Sequence, residues 1–265
     1  MNPLMLIQTQ NLPGLCALSA GLGAIIGSFL GVVAERIPPL VMGEEGAGNL
    51  LFPASHCPEC SHPLSGWENI PVLSWCCLRG RCRHCQAAIP VRLLLVEVFS
   101  ALFFAFSAAF APSLPVLLSL WLLWSLLLPL VIIDARHLLL PDSLTQPLLW
   151  AGLLTSALFH TLPLTDALYG AVAGYLSLWL LYWAFRLLTG REGLGYGDFK
   201  LLAALGAWCG WQSLPTLVLI AALSGIAVSV LFIQSERKNT LIPFGPSLAI
   251  AGMVTFILRM MNFSF

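Results

Sequence analysis

Residues 114–133 read LPVLLSLWLLWSLLLPLVII, a run of 20 positions without an ionisable side chain. A helix of about 20 apolar residues is long enough to cross the hydrocarbon core of a bilayer. The apolar residues are continuous rather than alternating, which favours a spanning helix over a strand of a membrane barrel. This stretch therefore predicts a transmembrane helix.

The composition of the whole chain agrees with this stretch. Of its 265 residues, 58% are hydrophobic and 9% are charged, against about 45–50% and about 25% in a typical soluble domain. So few charges could not cover the surface of a soluble protein of this size. The formal net charge of zero also argues against nucleic acid as a partner. We expect an all-α polytopic membrane protein whose main surroundings are the lipid bilayer.

Other apolar segments extend this pattern along the chain. Segments of near-spanning length lie at 14–34, 93–111, 143–160, 167–188, 214–233 and 245–262. A shorter segment at 200–212 is either a crossing or a re-entrant or tilted helix. Counting it as a crossing predicts about eight transmembrane helices. The first segment has glycines at 14, 21, 23, 27 and 31, which predict close packing against neighbouring helices.

The basic residues support eight crossings. With that count, segments 35–92, 134–142, 186–200 and 234–244 share one face of the membrane and contain 11 of the 12 Lys and Arg residues. They are Arg36, Arg79, Arg81, Arg83, Arg92, Arg136, Arg186, Arg191, Lys200, Arg237 and Lys238. Cytoplasmic loops are rich in Lys and Arg. This face is therefore predicted to be cytoplasmic, with both termini periplasmic.

Residues 35–92 form a polar insert that is too long for an ordinary helix connection. It contains Cys57-Pro58-Glu59-Cys60 and Cys82-Arg83-His84-Cys85, separated by 21 residues. Two such knuckles at this separation are typical of a zinc ribbon, in which four thiolates hold one tetrahedral Zn²⁺. A structural metal suits a segment too small to build its own core, and a reducing face disfavours disulfides.

Other potential ligands lie in or near this insert, and we interpret them as packed or exposed residues. They are Cys76, Cys77, His56, His62 and His84. Cys16 and Cys209 lie in apolar segments, where cysteine behaves as a small hydrophobe. The alternative for the two knuckles is a reduced loop without a metal.

Three of the four aspartates lie at helix ends on the predicted cytoplasmic face: Asp134, Asp142 and Asp198. Ionisable groups at membrane depth are costly and suggest function. Two neighbouring carboxylates can share a proton and activate a water, as in aspartic proteases. The alternatives are a cap at Asp142 and an ion pair of Asp134 with Arg136 or Lys200. The fourth, Asp166, precedes an apolar run and is interpreted as a helix N-cap.

The arrangement of these aspartates resembles a known family. Asp134-x6-Pro141-Asp142 followed by Gly195-Tyr196-Gly197-Asp198 is similar to the bacterial type IV prepilin peptidases, membrane aspartyl proteases of the Gly-x-Gly-Asp type. The similarity covers about residues 21–252 in the expected order. Further matches are Gly27-Ser28-Phe29-Leu30, Asn69-Ile70-Pro71, Arg79-Gly80-Arg81-Cys82-Arg83 and Ile242-Pro243-Phe244-Gly245-Pro246.

The resemblance implies an activity and a set of site residues. Members of the family cleave the basic leader from type IV prepilins and type II secretion pseudopilins at the cytoplasmic face. Many also methylate the new N-terminal residue with S-adenosylmethionine. Asp134 and Asp198 would be catalytic. The supporting residues would be Asp142, Gly195, Gly197 and Lys200, and the structural zinc ligands Cys57, Cys60, Cys82 and Cys85.

The same resemblance implies three regions. They are a first transmembrane helix at 1–34, a zinc-binding and methyltransferase insert at 35–92, and a peptidase core at 93–265. The chain departs from the family pattern at both borders of the insert. Gly31 stands where Asn is common, and Arg92-Leu93-Leu94 stands where Arg-Tyr-Pro is common ahead of a glutamate, here Glu97.

These departures make methyl transfer the weaker half of the implied activity. A Gly-x-Gly-x-x-Gly nucleotide fingerprint is absent from the sequence, and no residues can be assigned to S-adenosylmethionine. A peptidase without methyl transfer is therefore one alternative. A transporter that uses its membrane aspartates as ion sites and a non-catalytic assembly factor with a zinc-ribbon docking insert are the others.

Overall fold

The computed structural model describes residues 3–44, 49–50, 52, 54–190, 195–234 and 243–260. Strand-type pairing in these ranges is confined to two isolated bridges, His56–Pro63 and Arg81–Ala88. The prediction of an all-α fold is confirmed. The α helices are α1 Pro3–Met42, α2 Leu73–Cys77, α3 Val91–Phe110, α4 Leu114–His137, α5 Asp142–Phe159, α6 Leu164–Thr189, α7 Tyr196–Cys209, α8 Leu214–Gln234 and α9 Gly245–Met260.

Five helical segments of the described chain are long and apolar enough to cross a membrane. They are Gln10–Met42, Val91–Phe110, Leu114–His137, Leu164–Thr189 and Trp211–Val230. The prediction of a multi-span membrane protein is therefore confirmed, whereas the count of eight crossings stays a prediction. Of the residues used for the charge argument, Arg191, Arg237 and Lys238 lie outside the described residues, as does Ile242.

The chain divides into two compact units, Met1–Leu117 and Leu118–Phe265. In the first unit, α1 contains a kink at Asn11, whose φ of −152° and ψ of 64° are not helical. The Asn11 side-chain oxygen accepts a hydrogen bond from the Gly14 N–H at 3.0 Å. It therefore caps the second, longer part of α1. That part continues to Met42, beyond the predicted end of the span at residue 34.

Small residues let α1 and α3 approach closely. A Cβ atom added to Gly27 would lie 2.8 Å from the Cβ of Ser100, and one added to Gly23 would lie 2.7 Å from the Cβ of Phe104. The close packing predicted from the glycines is thus found at these two positions. Gly21 has no such neighbour, because no described residue lies within 4 Å of its added Cβ.

The insert between α1 and α3 is tied to α3 by a side chain. The Glu97 carboxylate of α3 accepts a hydrogen bond from the Val72 N–H at 2.7 Å. Val72 has a φ of 62°, a costly conformation for a β-branched residue. The Leu73 N–H also donates to the Pro71 carbonyl at 2.6 Å. Glu97 therefore holds a tight turn immediately before α2.

In the second unit, α7 is the central helix. Its residues are buried at Phe199 and from Leu201 to Cys209, as expected for a helix that is apolar on every side. At 14 residues it is about 21 Å long, shorter than the roughly 30 Å core of a bilayer. This is the segment whose crossing was ambiguous in the sequence.

The backbones of α6 and α7 touch at a pair of glycines. A Cβ atom added to either Gly170 or Gly206 would collide with the carbonyl oxygen of the other. On another side of α7, the Trp208 Nε1–H donates to the Leu148 carbonyl of α5 at 2.9 Å. The Trp208 ring also packs edge-on against Phe256 of α9, with centroids 5.6 Å apart. These contacts fix α7 against three neighbouring helices.

We expect Gly206→Ala to destabilise the second unit, because its methyl group would push α6 and α7 apart. Overpacking of this kind typically costs about 1–3 kcal/mol. Thermal unfolding of the purified protein in detergent measures the loss. Gly21→Ala is the control, since it adds a methyl group where nothing lies within 4 Å. Equal melting temperatures for the two variants would contradict the role of the glycine contact.

Candidate active site and metal centre

Asp134 lies near the end of α4 and is only 5% exposed. Its Oδ2 accepts a hydrogen bond from the backbone N–H of Gly245 at 2.9 Å. Gly245 is the first residue of α9. A buried carboxylate is costly unless it is hydrogen-bonded, and the Gly245 amide meets part of this requirement. The bond also holds the carboxylate in one orientation.

Asp198 is in the first turn of α7 and is partly buried. Gly195 precedes this helix in an extended conformation, with φ −79° and ψ 140°. The Asp198 carboxylate is close enough to Asp134 for the two charges to repel each other. The structure thus brings together the two aspartates that the sequence singled out, although 64 positions separate them in the chain.

Asp142 has a different partner. It is the first residue of α5 and makes no side-chain capping bond. Its Oδ1 instead accepts a hydrogen bond from the Lys200 Nζ at 2.6 Å. The cap considered for Asp142 is therefore wrong, and Lys200 pairs with Asp142 rather than with Asp134. Because Lys200 lies two positions after Asp198, this ion pair joins the start of α5 to the start of α7.

The two glycines before Asp198 have different surroundings. A Cβ atom added to Gly197 would lie 2.8 Å from the Cβ of Leu140, so a side chain at 197 would displace the α4–α5 connection. Among the described residues, a Cβ atom added to Gly195 would meet only the Oδ2 of Asp198, at 3.6 Å. The contact with Leu140 therefore requires a small residue at position 197.

Aromatic residues support the start of α7. Tyr182 of α6 is fully buried, and the Tyr196 hydroxyl donates to its oxygen at 3.3 Å. The Arg186 Nη1 donates to the same hydroxyl oxygen at 3.1 Å. Phe199 packs edge-on against Tyr182, with ring centroids 5.7 Å apart. These neighbours could not be predicted from the sequence, because an aromatic residue in an apolar helix carries no distinctive signal.

The N-cap interpretation of Asp166 is wrong. Pro163 precedes α6, and Asp166 lies inside its first turn without a capping bond. Its Oδ1 accepts a hydrogen bond from the Trp211 Nε1–H at 3.2 Å. The proline defines the start of the helix, which leaves the carboxylate free to bind an indole.

In the first unit, four cysteine sulfurs converge. The Sγ atoms of Cys57, Cys60, Cys82 and Cys85 all lie within 4.8 Å of one another. The Cys57–Cys85 and Cys60–Cys82 separations are 3.7 and 4.0 Å. Thiolates at about 2.3 Å from a tetrahedral metal ion stand about 3.8 Å apart, whereas a disulfide needs about 2.05 Å. The cluster therefore fits a single tetrahedral ion.

The two knuckles repeat the same backbone pattern. Cys57 donates its N–H to the carbonyl of His62, and Cys82 donates to that of Ala87, at 3.0 and 2.9 Å. Ser61 and Gln86, at equivalent positions, have φ values of 55° and 61°. Each knuckle thus curls around its first cysteine. In each, the first cysteine is buried and the second is exposed.

The knuckle backbone also favours a thiolate. Backbone hydrogen bonds from Cys60 and Glu59 lower the pKa of Cys57 to about 7. At Cys85, a backbone hydrogen bond from Ala87 is outweighed by burial and the neighbouring thiols, which raise the pKa to about 12. The thiolate is the form that binds metal ions.

The other potential ligands of the insert lie outside the cluster. Cys76 and Cys77 are exposed, and the rings of His62 and His84 lie tilted against each other with centroids 3.5 Å apart. Within the described residues, the cysteines that come together are therefore the four that the sequence predicted.

Two family models match the chain, and they cover most of it. Residues 22–111 match the bacterial peptidase A24 N-terminal domain, and residues 121–230 match the type IV leader peptidase family. The chain belongs to the type IV leader peptidase family. The first match includes the four-cysteine cluster, and the second includes both close aspartates.

Curated relatives of this leader peptidase family are similar over nearly the full chain. A prepilin leader peptidase/N-methyltransferase of Aeromonas hydrophila is 49% identical, covering 88% of this chain and 87% of its own length. Proteins of the same name from Stutzerimonas stutzeri and Pseudomonas aeruginosa are each 45% identical. They cover 92% and 89% of this chain, and 90% and 88% of their own lengths. No solved structure matches the chain.

Proposed function

We propose that this protein cleaves the leader peptide of type IV prepilins or type II secretion pseudopilins at the cytoplasmic face of the inner membrane. It then methylates the new N-terminal residue with S-adenosylmethionine. The main support for the peptidase activity is that Asp134 and Asp198 lie near each other at the ends of two apolar helices. The names of the curated relatives support both halves.

In the proposed reaction, Asp134 and Asp198 hold a water molecule between them. One carboxylate takes a proton from the water as the oxygen attacks the scissile carbonyl carbon, and the other carboxyl group donates a proton to the carbonyl oxygen. The tetrahedral intermediate then collapses. Its C–N bond breaks, and the leaving amine takes up the proton that the first carboxylate removed from the water. The hydroxyl group formed on the carbonyl oxygen returns its proton to the second carboxylate. The two carboxylates titrate as a coupled pair.

The supporting residues act through the positions of the helices. The ion pair of Asp142 with Lys200 restrains the first turn of α7, which carries Asp198. Gly197 permits the close approach of that turn to Leu140, and Gly195 starts it in an extended conformation. None of these residues needs to contact the substrate in order to position the first turn of α7.

The insert would bind one structural Zn²⁺ through Cys57, Cys60, Cys82 and Cys85. Four protein thiolates complete a tetrahedral shell, so the ion would stabilise the fold and leave no position for substrate. We propose residues 1–34 as the first transmembrane segment, 35–92 as the zinc and methyltransferase insert, and 93–265 as the peptidase core. The asymmetry of basic residues supports a cytoplasmic insert and periplasmic termini.

Mass spectrometry of a co-expressed prepilin tests this function directly. The wild-type protein should shorten the prepilin at one bond and add one methyl group to the new N-terminus. An unprocessed prepilin would contradict the proposed function. A cleaved but unmethylated product would identify a peptidase-only member and connect the departures at Gly31 and Leu93 with the loss of methyl transfer.

Asp134→Asn and Asp198→Asn should each reduce the cleavage rate by at least about 100-fold, because neither carboxyl group can replace the other in proton transfer. Asp142→Asn should cost less, since it removes only the ion pair with Lys200. Cleavage of purified prepilin in detergent measures all three. Asp166→Asn is the matched control, because its carboxylate binds Trp211. Full activity of either of the first two variants would disprove the dyad.

The purified protein should contain one zinc per chain, and a Cys57→Ser/Cys82→Ser double variant should contain none. The double variant removes the buried thiolate of each knuckle and leaves two ligands, too few for a tetrahedral thiolate site. Elemental analysis gives the ratio. A Cys76→Ser/Cys77→Ser double variant, changed at exposed thiols outside the cluster, should keep its zinc. Stoichiometric zinc in the first double variant would refute the ligand set.

The two activities should be separable. Asp198→Asn should abolish cleavage and still methylate a substrate that has already been cleaved, because methyl transfer is assigned to the insert. The knuckle double variant should lose methyl transfer or folding while keeping both aspartates. Transfer of a labelled methyl group to a pre-cleaved peptide measures this. Loss of methyl transfer in a folded Asp198→Asn variant would contradict two separate sites.

A further inference from the structure

The segment Pro243-Phe244-Gly245-Pro246 lies at the start of α9, and the function described so far gives it no role. Gly245 is buried, and its N–H donates to the Oδ2 of Asp134 at 2.9 Å. The first amides of a helix have no acceptor within the helix. Asp134, which lies in α4, therefore accepts a hydrogen bond from one of these amides of α9. The positive end of the α9 dipole also favours a carboxylate at this position.

The same position has no room for a side chain. A Cβ atom added to Gly245 would lie 2.6 Å from the Oδ2 of Asp134 and 3.0 Å from its Cγ. Real Cβ atoms do not approach oxygen so closely, so even a methyl group would force the carboxylate or the helix to move. The backbone conformation is not the reason for glycine here, because the residue is helical. The requirement comes from contact with Asp134.

Helix α9, whose first amide binds Asp134, also packs on α7, which carries Asp198. Gly252 of α9 faces Leu205 of α7, and its carbonyl accepts a hydrogen bond from the Cys209 thiol at 3.6 Å. Phe256 packs against Trp208 further along the same interface. Contacts of α9 therefore reach both aspartate-bearing helices, at its first residue and along its length.

We propose that Gly245 is a positioning residue for the peptidase reaction. Its N–H holds one oxygen of Asp134, so that the other oxygen is available to the water and to Asp198. Its missing side chain lets α9 approach the carboxylate and set the separation between the two aspartates. This inference rests on the proposed peptidase function, and it assigns to α9 a part in the geometry of the dyad.

Gly245→Ala tests the steric half of the inference. Because a displacement of about 1 Å at a reacting group can cost on the order of 100-fold, we expect kcat for prepilin cleavage to fall roughly 10- to 100-fold. KM should stay within about twofold, since the lost interaction belongs to the reacting groups. A general folding defect would instead lower the fraction of active protein, which a melting curve and titration of active sites measure.

Two glycine variants control for packing. Gly225→Ala adds a methyl group beside Phe244 and Ser247 at ordinary contact distances of 3.5 Å or more, and should leave kcat unchanged. Gly252→Ala disturbs the same helix without reaching Asp134 and should lower the melting temperature more than kcat. If Gly252→Ala reduces kcat as much as Gly245→Ala does, the effect is packing and the inference is overturned.

An ester in place of the amide between Phe244 and Gly245 tests the hydrogen bond without a change of side chain. It removes the N–H without adding an atom, so it remains informative even if Gly245→Ala does not fold. We expect kcat to fall about 10-fold, as for loss of one hydrogen bond to a charged group. Unchanged kcat in the ester variant would overturn the inference. Failure of the wild-type protein to cleave prepilin would instead refute the proposed function itself.

Discussion

The contact between the backbones of α6 and α7 at Gly170 and Gly206 is the constraint on which the second unit depends. It places α7 in the centre, where almost every side chain from Phe199 to Cys209 is buried. A central helix of only 14 residues cannot carry charges along its length, because buried charges are costly. Its charged residues, Asp198 and Lys200, are therefore among its first five positions. The position of the candidate active site follows from this burial.

Each carboxylate near the site is held by a different kind of partner. Asp134 accepts a hydrogen bond from a backbone amide, which cannot move independently of α9. Asp142 binds the ammonium group of a flexible lysine, and both side chains are partly exposed to solvent. An exposed ion pair contributes little to stability, but it still limits the movement of the helix that carries Lys200. The more rigid partner belongs to the more deeply buried aspartate.

The insert of the first unit depends on a different interaction. Its two knuckles have little apolar surface to bury, and each curls around one buried cysteine. Because a small segment cannot form an adequate core, four converging sulfurs take the place of a core. The tight turn at Val72, held by Glu97 of α3, joins this cysteine-containing segment to the transmembrane part of the unit.

Much of the fold and the site could be predicted from the sequence by itself. Long apolar runs require helices in a membrane, and the Cys-x-x-Cys spacing lets two sulfurs of one turn converge on one ion. The three aspartates were conspicuous because charges are rare in this chain. These features are local or compositional, so no knowledge of the packing was needed to find them.

Only the tertiary structure decided the partners. Asp142 and Lys200 are 58 positions apart, and Asp134 and Gly245 are 111 positions apart. An ion pair or a hydrogen bond between residues so far apart in the chain leaves no periodic signal in the sequence. The roles considered for Asp142 and Asp166 as helix caps were wrong because a proline precedes each helix and leaves the carboxylate to a distant partner. Gly245 is the clearest example of a residue whose role could not be predicted from the sequence. A glycine is required there by a contact that exists only when α9 meets α4.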